Sequence, residues 1–251
     1  MPAARDAIAH ISKLLVLSYV VDWVIIIGIA LIGYGFYKQT PNQHPFSLTD
    51  PTISYPYIEN ETVSTVTLIL VGLLAPAVIV LIGALVLVPG TTAAEGAKPS
   101  KSQTLRRKFW EWNAGWMGLA LALASVWTAT QGLKVLIGKP RPDLLARCNP
   151  DLSKIATYTV GGLGDRLQGA ATLVSYELCQ DQSSSLRIDG FSSFPSGHSS
   201  FSFAGLGYLT LWLCAKFSVG FPYLSHFNTE GYDQSDDRSS VRTRGAAPQF
   251  F

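Results

Sequence analysis

Two short stretches of this 251-residue chain carry side chains that could do chemistry together. The first runs Lys134-Val-Leu-Ile-Gly-Lys-Pro-Arg141-Pro142, the second Phe194-Pro195-Ser196-Gly197-His198-Ser199. Lysine offers a compact point charge, and arginine a planar fork of N–H donors that matches phosphate oxygens. Seven positions separate Lys134 from Arg141, close to two helical turns. Gly138 and Pro140 break a helix between them, so the two cations can converge from a helix end and the loop behind it. In the second stretch a proline and serines ahead of an apolar run signal a helix start. A helix N-terminus presents unpaired N–H groups and positive potential, which suits an anion. Gly197 lets an anion approach the backbone, Ser196 adds a hydroxyl donor, and His198 sets an imidazole in the first turn. Histidine exchanges protons near neutral pH and can protonate a leaving alkoxide. The chemistry suggested is a phosphate held by Lys134, Arg141, Ser196 and Gly197, with His198 as proton donor. Taken alone, Lys134 could merely snorkel to a membrane interface, and His198 could be a surface polar contact; their joint setting favours the phosphate. Lys139 and Arg147 read as solvated bystanders.

What must position these stretches is a membrane bundle. Hydrophobic residues make up 48% of the chain and charged ones 14%, against roughly 25% charged in soluble domains. With a net charge of +2 and scattered basic residues there is no stripe for nucleic acid. Three cysteines are too few for a disulfide scaffold, and no C-x-x-C spacing suggests zinc, so neither metal nor cofactor is expected. A bilayer-spanning helix needs about 20 apolar residues. Residues 14–36, 66–88, 113–133 and 199–219 meet that need. In lipid every backbone polar group must be paired within the chain, so these are helices. The expected fold is all-α, a polytopic transmembrane bundle over residues 14–219. A short cytosolic segment, 1–13, precedes it, and a polar tail, 220–251, reads as disordered. The first apolar run exceeds the roughly 7–15 residues of a signal peptide and reads as a retained anchor.

Lys98, Lys101, Arg106, Arg107 and Lys108 fall in the 90–112 loop, whereas the 38–64 loop has only Lys38. The positive-inside bias puts the first of these in the cytosol. Residues 38–64 and 135–195 then lie on the lumenal or outer side of an endomembrane or plasma membrane, with the site facing that way. Asn60-Glu-Thr is a glycosylation sequon in one outer loop. Cys148 and Cys179 share the other, as a disulfide or as two thiols. Cys214 reads as a small apolar residue of the fourth span. Asp22, inside the first span, reads as a structural hydrogen bond to a neighbouring helix. Glycines and alanines in the second and third spans let helices approach closely. The Gly161-Gly-Leu-Gly run is too loose for a nucleotide fingerprint and reads as flexible loop.

Lys134-x6-Arg141-Pro142 followed by Pro195-Ser196-Gly197-His198 resembles the first two signatures of the type 2 phosphatidic acid phosphatase family, which also includes vanadium haloperoxidases. Ser18-Tyr-Val-Val-Asp-Trp23, the Ser54-Tyr-Pro56 region and the run from Asp189 to Phe203 resemble eukaryotic lipid phosphate phosphatases. The likeness covers residues 15–220. It implies hydrolysis of a phosphomonoester lipid, such as phosphatidate to diacylglycerol, without a metal. It also implies that Lys134, Arg141, Ser196 and the Gly197 amide bind the phosphate, and that His198 protonates the leaving lipid alkoxide. A haloperoxidase role is set aside because those enzymes are typically soluble. The family has a third signature, Ser-Arg, five residues, His, three residues, Asp, whose histidine is the nucleophile. None of His10, His44, His198 and His226 stands in such a motif. The family usually has six spans, against the four read here. The expectation is a chain that stops before the last two helices, as a truncated product or a mispredicted gene end. Its rate would fall by orders of magnitude without the nucleophile. The alternative is a membrane protein that only binds phosphate-bearing lipids.

Overall fold

A computed structural model describes residues 13–58, 62–87, 101–164, 166–181 and 183–217. The sequon asparagine, the first twelve residues and the 220–251 tail lie outside the described residues. The helices are α1 (Lys13–Lys38), α2 (Thr65–Val86), α3 (Lys101–Ile137), α4 (Leu144–Cys148), α5 (Ile155–Tyr158), α6 (Ser184–Asp189) and α7 (Gly197–Lys216). Residues 1–213 form one compact unit, and of the second, 214–251, only the end of α7 is described.

Among the described residues α1, α2 and α3 are long and apolar enough to cross a bilayer. Helix α7 has 20 residues, about 30 Å, but its first two turns carry His198, Ser199, Ser200 and Ser202. Helix α3 starts twelve residues before the expected span, so residues 101–112 are helix rather than loop. Those residues are mostly good helix formers, and Lys108 Nζ donates to the Leu85 carbonyl at 2.5 Å, a cation set against the C-terminal end of α2.

The helices pack through small residues. Gly33 of α1 faces Trp127 and Thr128 of α3 with no room for a side chain. There the Thr128 hydroxyl donates to the Ile29 carbonyl at 2.6 Å. Next to Asp22, Trp23 Nε1 donates to Asn113 of α3 at 3.4 Å. In α2, Pro76 has no N–H to offer the Gly72 carbonyl four positions back. The helix widens there into a π turn, Leu70–Leu74, in which the Ala75 N–H reaches back to Leu70. Gly205 of α7 lies against that Gly72 carbonyl, so close that a Cβ would collide with it. Further along, Gly83 and Gly115 make room for Trp212, which packs with Val80 and Leu209.

The segments between the helices are not a flexible loop. Strands β1 (Phe46–Ser47), β2 (Thr159–Gly162) and β3 (Thr172–Val174) form an antiparallel sheet in the order β1-β3-β2. The Gly161-Gly162 pair belongs to β2, with Gly162 at φ 102°. Phe46, Leu144, Val174, Leu178 and Leu186 bury around Phe191, whose ring sits 6.4 Å from Phe46 and 5.7 Å from Tyr176. A disulfide joins Cys148 to Cys179 inside this core. Strands of two to four residues are too short to show alternation in sequence.

Replacing Gly205 with valine is expected to lower stability by about 1–3 kcal/mol, because overpacking at a close contact has no room to relax. Gly207 faces open space, so Gly207→Ala is the control. Thermal unfolding of both variants in detergent reads the difference, and equal midpoints would refute the packing argument.

Candidate active site

Lys134 occupies the last turn of α3, and that turn is closed with care. Gly138 adopts φ 57°, the left-handed conformation of a helix terminator, and its N–H returns to the Lys134 carbonyl at 3.0 Å. A side chain at 138 would collide with the Asn42 carbonyl. The Asn42 N–H donates to the Val135 carbonyl at 3.0 Å, and His44 Nε2 lies 3.1 Å from the Ile137 carbonyl. His44, on the expected outer side, thus caps α3.

Past Gly138 the chain meets the loop that leads to the second stretch. The Arg141 N–H donates to the Gly190 carbonyl at 2.8 Å, and the Ser193 N–H to the Lys139 carbonyl at 3.1 Å. Phe191, fully buried between these bonds, anchors that loop in the core. Side chains reinforce the clamp. Arg141 Nη2 donates to Asp189 Oδ1 at 2.5 Å, and Arg147 Nη1 to Asp189 Oδ2 at 3.0 Å. Arg147 Nε also donates to Asp143 at 2.9 Å, and its guanidinium lies 4.6 Å from the centre of the Tyr57 ring. Arg147 is therefore no bystander: its side chain is only 15% exposed. Burial works against its charge, but the Asp143 hydrogen bond and the charges of Asp143 and Asp189 prevail, raising its pKa above the ordinary arginine value. Arg141 Nε is buried without a partner.

The second stretch starts α7. Ser196 Oγ accepts the Ser199 N–H at 3.3 Å, an N-cap bond that leaves the hydroxyl its own hydrogen to donate. Gly197, the first helical residue, offers an open backbone face. Lys134 Nζ stands 3.7 Å from the point a Cβ there would occupy. Thr130 of α3 donates to Ser200 at 2.9 Å, which holds the two helices together. His198 Nε2 lies 3.1 Å from the Val63 carbonyl. A carbonyl only accepts, so this nitrogen carries the proton. It faces a groove of about 700 Å³ between the starts of α2 and α7.

The structure thus sets Lys134 beside Gly197 and ties the Arg141 loop to the residues leading into Ser196. The Arg141 guanidinium pairs with Asp189 rather than with Ser196 or His198. Sequence reasoning missed Asp189, Asp143 and Tyr57. For Asp189 a signal existed, since it opens the run that resembles the family.

Residues 114–224, which contain both stretches, match the PAP2 superfamily. The chain is similar to diacylglycerol pyrophosphate phosphatase 1 of Saccharomyces cerevisiae, 32% identical over 81% of this chain and 61% of that protein. It is also similar to a probable diacylglycerol pyrophosphate phosphatase 1 of Schizosaccharomyces pombe, 33% identical over 79% of this chain and 60% of that protein. A shorter likeness, 34% over 46% of this chain and 28% of the relative, is to lipid phosphate phosphatase 1 of Arabidopsis thaliana. The chain spans about three fifths of the length of the two yeast relatives. No solved structure matches it significantly.

Arg147→Ala is expected to lower stability by about 2 kcal/mol, the cost of losing charged hydrogen bonds in a half-buried network. Lys139→Ala, at an exposed position, should stay within about 0.5 kcal/mol. Thermal midpoints in detergent compare them; equal losses would return Arg147 to the solvated surface.

Proposed function

We propose that this chain bears the phosphate site of a membrane lipid phosphatase acting on phosphatidate-type phosphomonoester lipids, and releasing diacylglycerol and phosphate from phosphatidate. The observation that carries this reading is the ammonium of Lys134 beside the open Gly197 backbone at the start of α7. A phosphate seated there takes hydrogen bonds from the Gly197 amide and the Ser196 hydroxyl, with Lys134 balancing its charge. Arg141 approaches from the clamped loop, and its orphaned Nε–H is a donor in need of an oxygen. In this reading His198, as imidazolium, gives its Nε2 proton to the leaving alkoxide after letting go of the Val63 carbonyl, and is left as neutral imidazole. The names of the yeast and plant relatives, phosphatases of lipids, support the substrate class.

In this reading α7 is a fourth crossing. The basic start of α3 lies in the cytosol, and the site faces the lumenal or outer leaflet. Three helix ends meet at one boundary in support of this: the approach to α2 through Val63, α3 through Lys134 and α7 through Gly197 and His198. A second reading, binding without turnover, is favoured by one observation. The 251 residues contain no Ser-Arg, five residues, His, three residues, Asp motif to supply a nucleophile.

The test is phosphatidate binding and phosphate release by the purified chain in detergent micelles. Arg141→Ala should abolish binding, and unchanged binding would overturn the site assignment. His198→Asn should leave binding nearly intact while lowering any release by about 10²–10⁴-fold, the usual worth of a general acid. Binding without release in the unaltered chain selects the second reading.

A further inference from the structure

We propose that the groove between the first turns of α2 and α7 seats an acyl chain of the phosphate-bearing lipid, an inference that rests on the phosphate site proposed above. The two helices begin at the same boundary, where His198 Nε2 meets the Val63 carbonyl at 3.1 Å. They close on each other again at Gly72, which touches Phe201 and Gly205. In α2 the rise from Thr65 to Gly72 is about 10 Å. Between the two contacts the helices stand apart and leave a groove of about 700 Å³, within the roughly 300–1,000 Å³ of small-molecule sites.

The lining is of two kinds: Ser196, His198, Ser199, Ser202 and Thr67 are polar, and Val63, Leu68, Val71 and Phe203 are apolar. Phe203 is a large ring left 83% exposed by the described residues. A site for a soluble phosphate ester would stay polar throughout. Apolar side chains set beside the polar residues of the phosphate seat match a phosphate head continued by a hydrocarbon chain. Ser196 and His198 belong to both the trough and the phosphate seat, so one molecule can occupy the two together.

The trough has a defined job. Inside a bilayer an acyl chain gains little by leaving its neighbours, which are equally apolar. What the trough provides is orientation: a chain lying between α2 and α7 fixes where the ester oxygen sits relative to His198 Nε2.

The experiment uses the full chain in detergent micelles and a phosphatidate carrying a diazirine in one acyl chain. Photolabelling should fall on peptides holding residues 63–71 and 199–203. Unlabelled phosphatidate should compete it away, phosphatidylcholine should not, and Arg141→Ala should abolish the competed fraction. Arg141-dependent labelling confined to other helices would overturn the groove and leave the phosphate site standing. Labelling independent of Arg141 everywhere would overturn both. As a second measurement, Val71→Trp should weaken phosphatidate binding by about tenfold, on the scale of steric discrimination in apolar pockets. Inorganic phosphate binding should stay within about twofold, since it does not use the trough. Equal weakening of the two ligands would also overturn the groove.

Discussion

Two backbone hydrogen bonds organise the site. Arg141 N–H to Gly190 and Ser193 N–H to Lys139 join chain segments some fifty residues apart. Without them the end of α3 and the approach to α7 would be independent loops, and their cations and donors would share no geometry. Everything else in the extramembrane layer serves that clamp. Phe191 sits between the two bonded residues of its loop and is fully buried. The Cys148–Cys179 disulfide closes a separation of 31 residues around the same core. In the chain-entropy picture such a closure is worth about 3–4 kcal/mol. A layer with so few residues and such short strands has little apolar area of its own, so the covalent link and the aromatic cluster share the work of holding it.

The membrane-embedded part answers to a different constraint. Lipid gives helices little hydrophobic reason to associate, so contact depends on shape. Glycines at 33, 72, 83, 115 and 205 are where side chains or carbonyls of a partner helix enter. Pro76 contributes by removing an N–H, which turns the Gly72 carbonyl outward as a docking point for α7. The position of His198 therefore depends on a crossing seven residues further along its helix.

The helical bundle was legible in the sequence because apolar length is a strong signal, and α1 and α2 fall within about two residues of the expected spans. The helix ends that carry Lys134, Gly197 and His198 were legible because glycine, proline and serine mark them. The early start of α3 was not, since a polar segment of good helix formers reads like a loop until Lys108 finds the end of α2. The small sheet was not, since two-residue strands carry no period. Arg147 was misread because sequence shows a charge without its partners. Only the fold brings Asp143, Asp189 and Tyr57 around it, and those contacts turn a surface cation into a pillar of the site.

The carboxylate of Asp189, held by one arginine on each oxygen, gives the resting molecule a property of an ion exchanger rather than of an open cation trap. Chloride or a carboxylate monoanion meets at Arg141 a charge that is already matched, and has little to offer in exchange. A doubly charged phosphate brings more charge and more acceptor oxygens than the group it would replace. If the proposed phosphate site is right, selectivity among anions is set by that pairing, before any lipid tail is felt.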